Sequence, residues 1–165
     1  MKGGLVLNLL LLIVCILICE FTGIIGSIFT RRSISSWYRG LKKPSFNPPN
    51  WIFAPAWFIL YLLMGVSLYL LLQSETNFWT SASTIIFGLQ LFLNALWSAV
   101  FFGRRSLKGG LITIFALLTA IVLTIVLFFQ VSSTAGIMLL PYLIWTSFAT
   151  LLNYRLLKLN QSLAH

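Results

Sequence analysis

Five stretches of this chain are apolar for about as long as a helix needs to cross a bilayer, and they leave room for little else. They run approximately 5–29, 51–72, 80–102, 111–131 and 137–157, each near the roughly 20 residues that a spanning helix requires. A barrel strand would alternate apolar and polar positions. These runs instead are filled with Leu, Ile and Phe on all sides, so helices are the expected elements. Composition agrees where it matters: 59% of the 165 residues are hydrophobic and only 8% charged, against roughly 25% charged in a soluble domain. The expectation is an all-α membrane protein, one bundle of five spans over residues 1–165, with a connecting loop at 30–50. The first run follows Lys2 and resembles a signal core, but it stays apolar to Phe29 without a clear cleavage site and is read as a retained span.

The net charge of +9 is explained by position. Arg31, Arg32, Arg39, Lys42 and Lys43 lie between the first and second spans, Arg104, Arg105 and Lys108 between the third and fourth, and Arg155 and Lys158 at the end of the fifth. In a five-span topology all of these fall on one side, with only Lys2 on the other. The positive-inside rule then puts the N-terminus outside and the C-terminus in the cytoplasm. A nucleic-acid partner is not needed to account for the basic excess.

Much familiar chemistry is missing. The one histidine is the terminal His165 and the acids are Glu20 and Glu75, which assemble into no nucleophile–base set, no carboxylate pair and no metal site. Cys15 and Cys19, four apart on one helix, read as small packing residues. No phosphate loop is present and the five spans do not divide into matching halves, so neither ATP-driven nor repeat-based transport is supported.

What the spans do carry is aromatic. Residues 37–61, WYRGLKKPSFNPPNWIFAPAWFILY, place three Trp, four Pro and three basic residues in twenty-five positions. That composition suits a preorganised recognition element, with interface anchoring as the competing reading for the indoles. The second span brings Trp57 and Tyr61 one turn apart. The third brings Gln90, Asn94, Trp97, Ser98 and Phe101 at helical spacing, and the fifth brings Tyr142, Trp145, Phe148, Ala149, Leu152, Asn153 and Tyr154. Together they describe a pocket for a flat, largely apolar molecule; a ligand-free packed interior, with Asn94 as an interhelical hydrogen bond, is the alternative. Glu20 is the one carboxyl inside a span and so a functional candidate with no partner readable from sequence. Leu152, Tyr154 and Arg155 satisfy a short pattern proposed for sterol contact. Ala95 and Ala99 offer a small surface on the third span through which two copies could pair.

Three blocks, WYRGLKKPSFNPPNWIFAPAW, QLFLNALWSAVFFG and PYLIWTSFATLLNY, resemble the TspO/MBR family in order and spacing across nearly the whole chain. The resemblance implies a five-helix membrane protein, commonly a homodimer, that binds tetrapyrroles such as protoporphyrin IX and, in some members, cholesterol and synthetic benzodiazepine-site ligands, with no obligatory cofactor. It implies that the loop around Trp37, Tyr38, Pro44, Pro48 and Pro49 lies over the pocket mouth, and that Trp57, Asn94, Trp97, Trp145 and Ala149 line the cavity. Some bacterial members promote light- or oxygen-dependent porphyrin breakdown, which would give Trp57 and Trp145 catalytic roles. Arg39, Lys42 and Lys43 would meet the ligand's propionates. The expected setting is a bacterial cytoplasmic membrane, or the mitochondrial outer membrane in a eukaryote. The chain departs from the family pattern at Gly109 and Thr113, where an aromatic and an acidic residue are common, and at Leu157, where a tryptophan follows the sterol-contact tyrosine.

Overall fold

The computed structural model describes residues 2–161, with side chains from residue 6 onward; Lys2's side chain and His165 lie outside what is described. Helix α1 spans Lys2–Ile34, α2 is a single turn at Trp37–Gly40, α3 spans Asn50–Leu72, α4 Phe78–Ser98, α5 Leu107–Phe129, α6 Ser133–Met138 and α7 Leu140–Leu159. Five units are long and apolar enough to cross a membrane, α6 and α7 together making the fifth. No strand occurs among the described residues. The third, fourth and fifth spans begin a few residues before the sequence estimate, where polar caps rather than hydropathy set the start of the helix. Asn77, Ser106 and Ser132 each accept a backbone N–H at an N-terminus, from Thr80, Gly109 and Ala135 respectively.

Two departures from straight helices matter. The last turn of α4 widens into a π-turn over Ala99–Gly103, where the Arg104 N–H bonds the Ala99 carbonyl at 2.9 Å. The wider turn lets the neighbours Phe101 and Phe102 both be buried. Ser33 of α1 donates to the Phe102 carbonyl at 2.6 Å and ties α1 to this turn. The fifth span is broken at Leu139, and Pro141, which has no N–H to donate, sits in the first turn of α7 where none is required.

Packing is uneven. Helix α4 lies along α5, α5 along α7, and α1 along both α3 and α4, whereas α3 meets α4 and α7 only sparsely. The α1–α3 seam closes at Gly65, where a Cβ would stand 2.5 Å from the Ile16 Cα, so only glycine admits the backbone of α1 there. Toward the ends of α3 and α7 nearest the basic loops the helices part, and a hollow opens between α1, α3, the π-turn and α7.

Candidate functional site

The hollow is a cavity of about 570 Å³, within the range of roughly 300–1,000 Å³ typical of small-molecule sites. Its walls follow from helical periodicity. On α3, Trp57 and Tyr61 are one turn apart and stack at 5.5 Å with 27° between their planes. Glycine is needed behind them, since a Cβ at Gly23 would fall 2.5 Å from the Tyr61 ring. Trp97 stacks on Phe101 of the π-turn at 5.3 Å, and its Nε1 donates to Asn153 Oδ1 at 3.4 Å. Asn153 in turn donates to the Leu107 carbonyl at 3.0 Å, which fixes α7 against the start of α5. Trp145 meets Phe53 edge-on at 6.1 Å, and Ala149, one turn on, leaves the space beside it open.

Most of the residues singled out in sequence therefore meet around one space: Tyr38, Trp57, Tyr61, Trp97, Trp145, Ala149 and Leu152 all line it. Asn94 does not. It is buried behind the wall, accepting from the Tyr61 hydroxyl at 2.7 Å and donating to the Tyr142 hydroxyl at 2.7 Å. Two tyrosines one helix away on either side consume its amide, so it holds the wall together and sets the Tyr61 ring. The sterol-contact triplet is also divided. Leu152 faces the cavity, whereas Tyr154, two residues on and so turned to the other side of the helix, and Arg155 are exposed and do not line it.

The 30–50 loop folds over the basic end of the cavity. Tyr38 is only 3% exposed and packs on Phe101 and Phe102, while its hydroxyl donates to Asn47 Oδ1 at 2.9 Å. Burial pushes its phenol up to about 12. Trp37 braces the turn edge-on against Phe101 at 5.6 Å. Asn160 pins the loop to the end of α7 by exchanging hydrogen bonds with the Lys42 backbone, at 3.0 and 2.9 Å. Pro44, Pro48 and Pro49 shape the loop but do not line the cavity. The mouth is elsewhere: Ile24 of α1 and Phe58 of α3 line the cavity yet are 57% and 58% exposed, so the opening lies sideways between these helices.

The charged lining also differs from expectation. Lys43 turns its ammonium onto the Arg39 and Leu41 carbonyls and the Tyr38 ring, and neither Arg39 nor Lys42 lines the cavity. The basic residue that does is Arg31, at the end of α1, together with the carboxyl of Glu20 deeper in. Arg31 was hidden in sequence by its place in a cluster that topology already explained. Ser98 lines the wall as its spacing suggested, and Phe53 and Ser27 are further wall residues that only their register with Trp57 and Arg31 would have suggested. Cys15 and Cys19 are free, buried packers. Among the described residues no cluster could hold a metal ion. The site can therefore hold a flat apolar body between rings, with an anion at one rim; it offers no acid–base pair.

Comparison with known proteins agrees with this architecture. The TspO/MBR family model matches residues 15–159. The chain is 44% identical over 155 residues to the tryptophan-rich protein TspO of Archaeoglobus fulgidus, covering 93% of this chain and 99% of the relative. It is 43% identical over 158 residues to the protein of the same name from Chlorobaculum tepidum, covering 93% and 98%. With the human translocator protein it shares 39% identity over 133 residues, 79% of this chain and 78% of the relative. Five spanning helices, the aromatic cavity and these matches together make the chain an integral, multi-pass membrane protein that belongs to the TspO/MBR family.

Proposed function

We propose that the protein is a membrane receptor or carrier for tetrapyrroles of the protoporphyrin IX type. The observation that carries this reading is the cavity itself, in which indole and phenol rings from α3, α4 and α7 surround an open space with Arg31 at its rim. Flat aromatic walls favour a flat conjugated ligand through dispersion and stacking, and an arginine at the edge suits a propionate. The sideways mouth lets an apolar ligand arrive from the bilayer. The basic loops support a cytoplasmic placement for the lidded end and an outside N-terminus, in a bacterial cytoplasmic membrane. The name of the human relative, translocator protein, accords with carriage.

Titrating the purified protein with protoporphyrin IX should quench tryptophan fluorescence saturably, and a Trp57→Phe, Trp145→Phe double variant should lose most of that affinity. Quenching that never saturates would sink the reading. A second reading, slow photo-oxidative breakdown of the bound porphyrin, is favoured by Trp57 and Trp145 both facing the cavity, since an indole can exchange an electron with a photoexcited ring without a proton-transfer group. Illumination of the complex should then yield a new product spectrum that the double variant does not produce. Sterol carriage has weaker support, because Tyr154 and Arg155 face away from the cavity that Leu152 lines. Homodimer formation through the third span, at Ala95 and Ala99, remains a proposal that cross-linking in bilayers would test.

A further inference from the structure

Glu20 is a feature of the cavity that neither stacking nor the Arg31 rim explains. It stands in the middle of an apolar span, where a carboxyl is costly without a partner, and lines the cavity. Its Oε1 is buried and has no hydrogen-bond partner among the described residues. The hydroxyls nearest to it along the helix are turned back on their own backbone: Thr22 donates to the Ile18 carbonyl and Ser27 to the Ile24 carbonyl. Across the seam, the Tyr61 hydroxyl is committed to Asn94. Arg31 lines the same cavity, but it lies eleven residues further along α1, about 16 Å at the helical rise, beyond direct pairing. A second wall atom is also orphaned, the Nε1 of Trp145. Both side chains stand on the wall of one cavity, and the carboxyl, which none of the described residues satisfies, is available to a polar-edged ligand.

We infer that Glu20 is a specificity-determining residue: its carboxyl oxygen accepts a hydrogen bond from an N–H or O–H donor on the ligand, so the cavity selects flat aromatic molecules that carry such a donor over those of the same shape that lack one. A carboxyl group keeps an acceptor oxygen whether or not it is protonated, so the selection needs no particular charge state. A ligand donor gives the unpaired carboxyl a partner, a gain that the donor-less analogue of the same shape forgoes. Ligand binding in this cavity underlies the inference, but the ligand need not be a tetrapyrrole.

The probes are carbazole, a flat ring system with one N–H, and N-methylcarbazole, in which that donor is blocked. Binding is measured on the full chain in lipid nanodiscs by competition and by direct fluorescence. The wild type should prefer carbazole by about tenfold, the worth of one buried hydrogen bond to a carboxyl. Glu20→Leu should bring the two probes to within about threefold of each other, and Glu20→Gln, which keeps an acceptor oxygen, should retain most of the preference. Equal wild-type affinities, a preference that survives in Glu20→Leu and so reflects only the bulk of the methyl group, or no saturable carbazole binding at all would each overturn the inference. Discrimination between the carbazoles in a protein that does not bind protoporphyrin IX would remove the tetrapyrrole reading and leave Glu20 in its role.

Discussion

The two ends of this bundle are built from the same kinds of side chain and turn out differently. At the end away from the basic loops, Phe87 and Phe128 stack at 5.7 Å, and both rings, with Leu71 near that end of α3, are almost fully buried. Ser67 there donates to the Ala135 carbonyl at 2.7 Å and locks α3 to α6. At the basic end, Trp57 and Trp145 are only partly buried, each with a neighbour on one side and the cavity on another. Aromatic content therefore does not predict whether a region is a core or a site. What separates them is whether facing residues are large enough to fill the gap, as Phe128 does opposite Phe87, or too small, as Ala149 is beside Trp145.

The difference can be broken by mutation. Phe87→Ala at the closed end should cost about 3–5 kcal/mol, the usual penalty for a large cavity in a packed core, read from unfolding in mixed micelles. Trp145→Ala at the open end should cost less than half as much, because part of that ring contacts nothing; equal losses would mean that the cavity wall is as tightly coupled as the core. Next in size is Asn94→Leu, which strands two buried hydroxyls at the boundary between the ends. It should destabilise by about 1–3 kcal/mol and weaken porphyrin binding through a loosened Tyr61, whereas Asn94→Asp, which keeps an acceptor for Tyr61, should bind better than the leucine variant.

Filling the hollow sharpens the contrast further. Ala149→Leu should change stability by less than about 1 kcal/mol, since the space is already there, while removing most of the affinity for protoporphyrin IX in the quenching titration. The smallest effect concerns the lid. Tyr38 stays protonated when folded up to about 12, above the ordinary phenol value near 10. Its contribution to loop closure is full below pH 10 and is lost as the pH rises through about 12. The phenolate absorbance difference between wild type and Tyr38→Phe should therefore appear only in that upper range, and a difference already half developed at pH 10 would show an open loop.

Much of this was readable from the chain. Spans were legible because a bilayer imposes a length and a polarity on any helix crossing it, and Trp57, Tyr61, Trp97, Trp145 and Ala149 announced a wall because their spacing puts them on inward faces. Asn94, which the resemblance put on the cavity wall, instead makes the interhelical hydrogen bonds that the residues themselves left open: periodicity reports the face of a helix, but not whether a neighbour's hydroxyl reaches it before a ligand can. Arg31 was overlooked because eleven basic residues had one sufficient explanation in topology, which gave no reason to separate one from the rest.

Hydropathy and spacing, acting residue by residue along the chain, determined that there are five membrane spans, which ends carry the charge and which helices bring aromatics inward. Only the tertiary structure decided that α3 parts from α7 at one end, that the π-turn turns two adjacent phenylalanines inward, that the mouth opens between α1 and α3, and that Glu20 faces the hollow unpaired. The reason is that empty space belongs to no residue: it is set by the distances between helices, and those depend on every contact in the bundle at once.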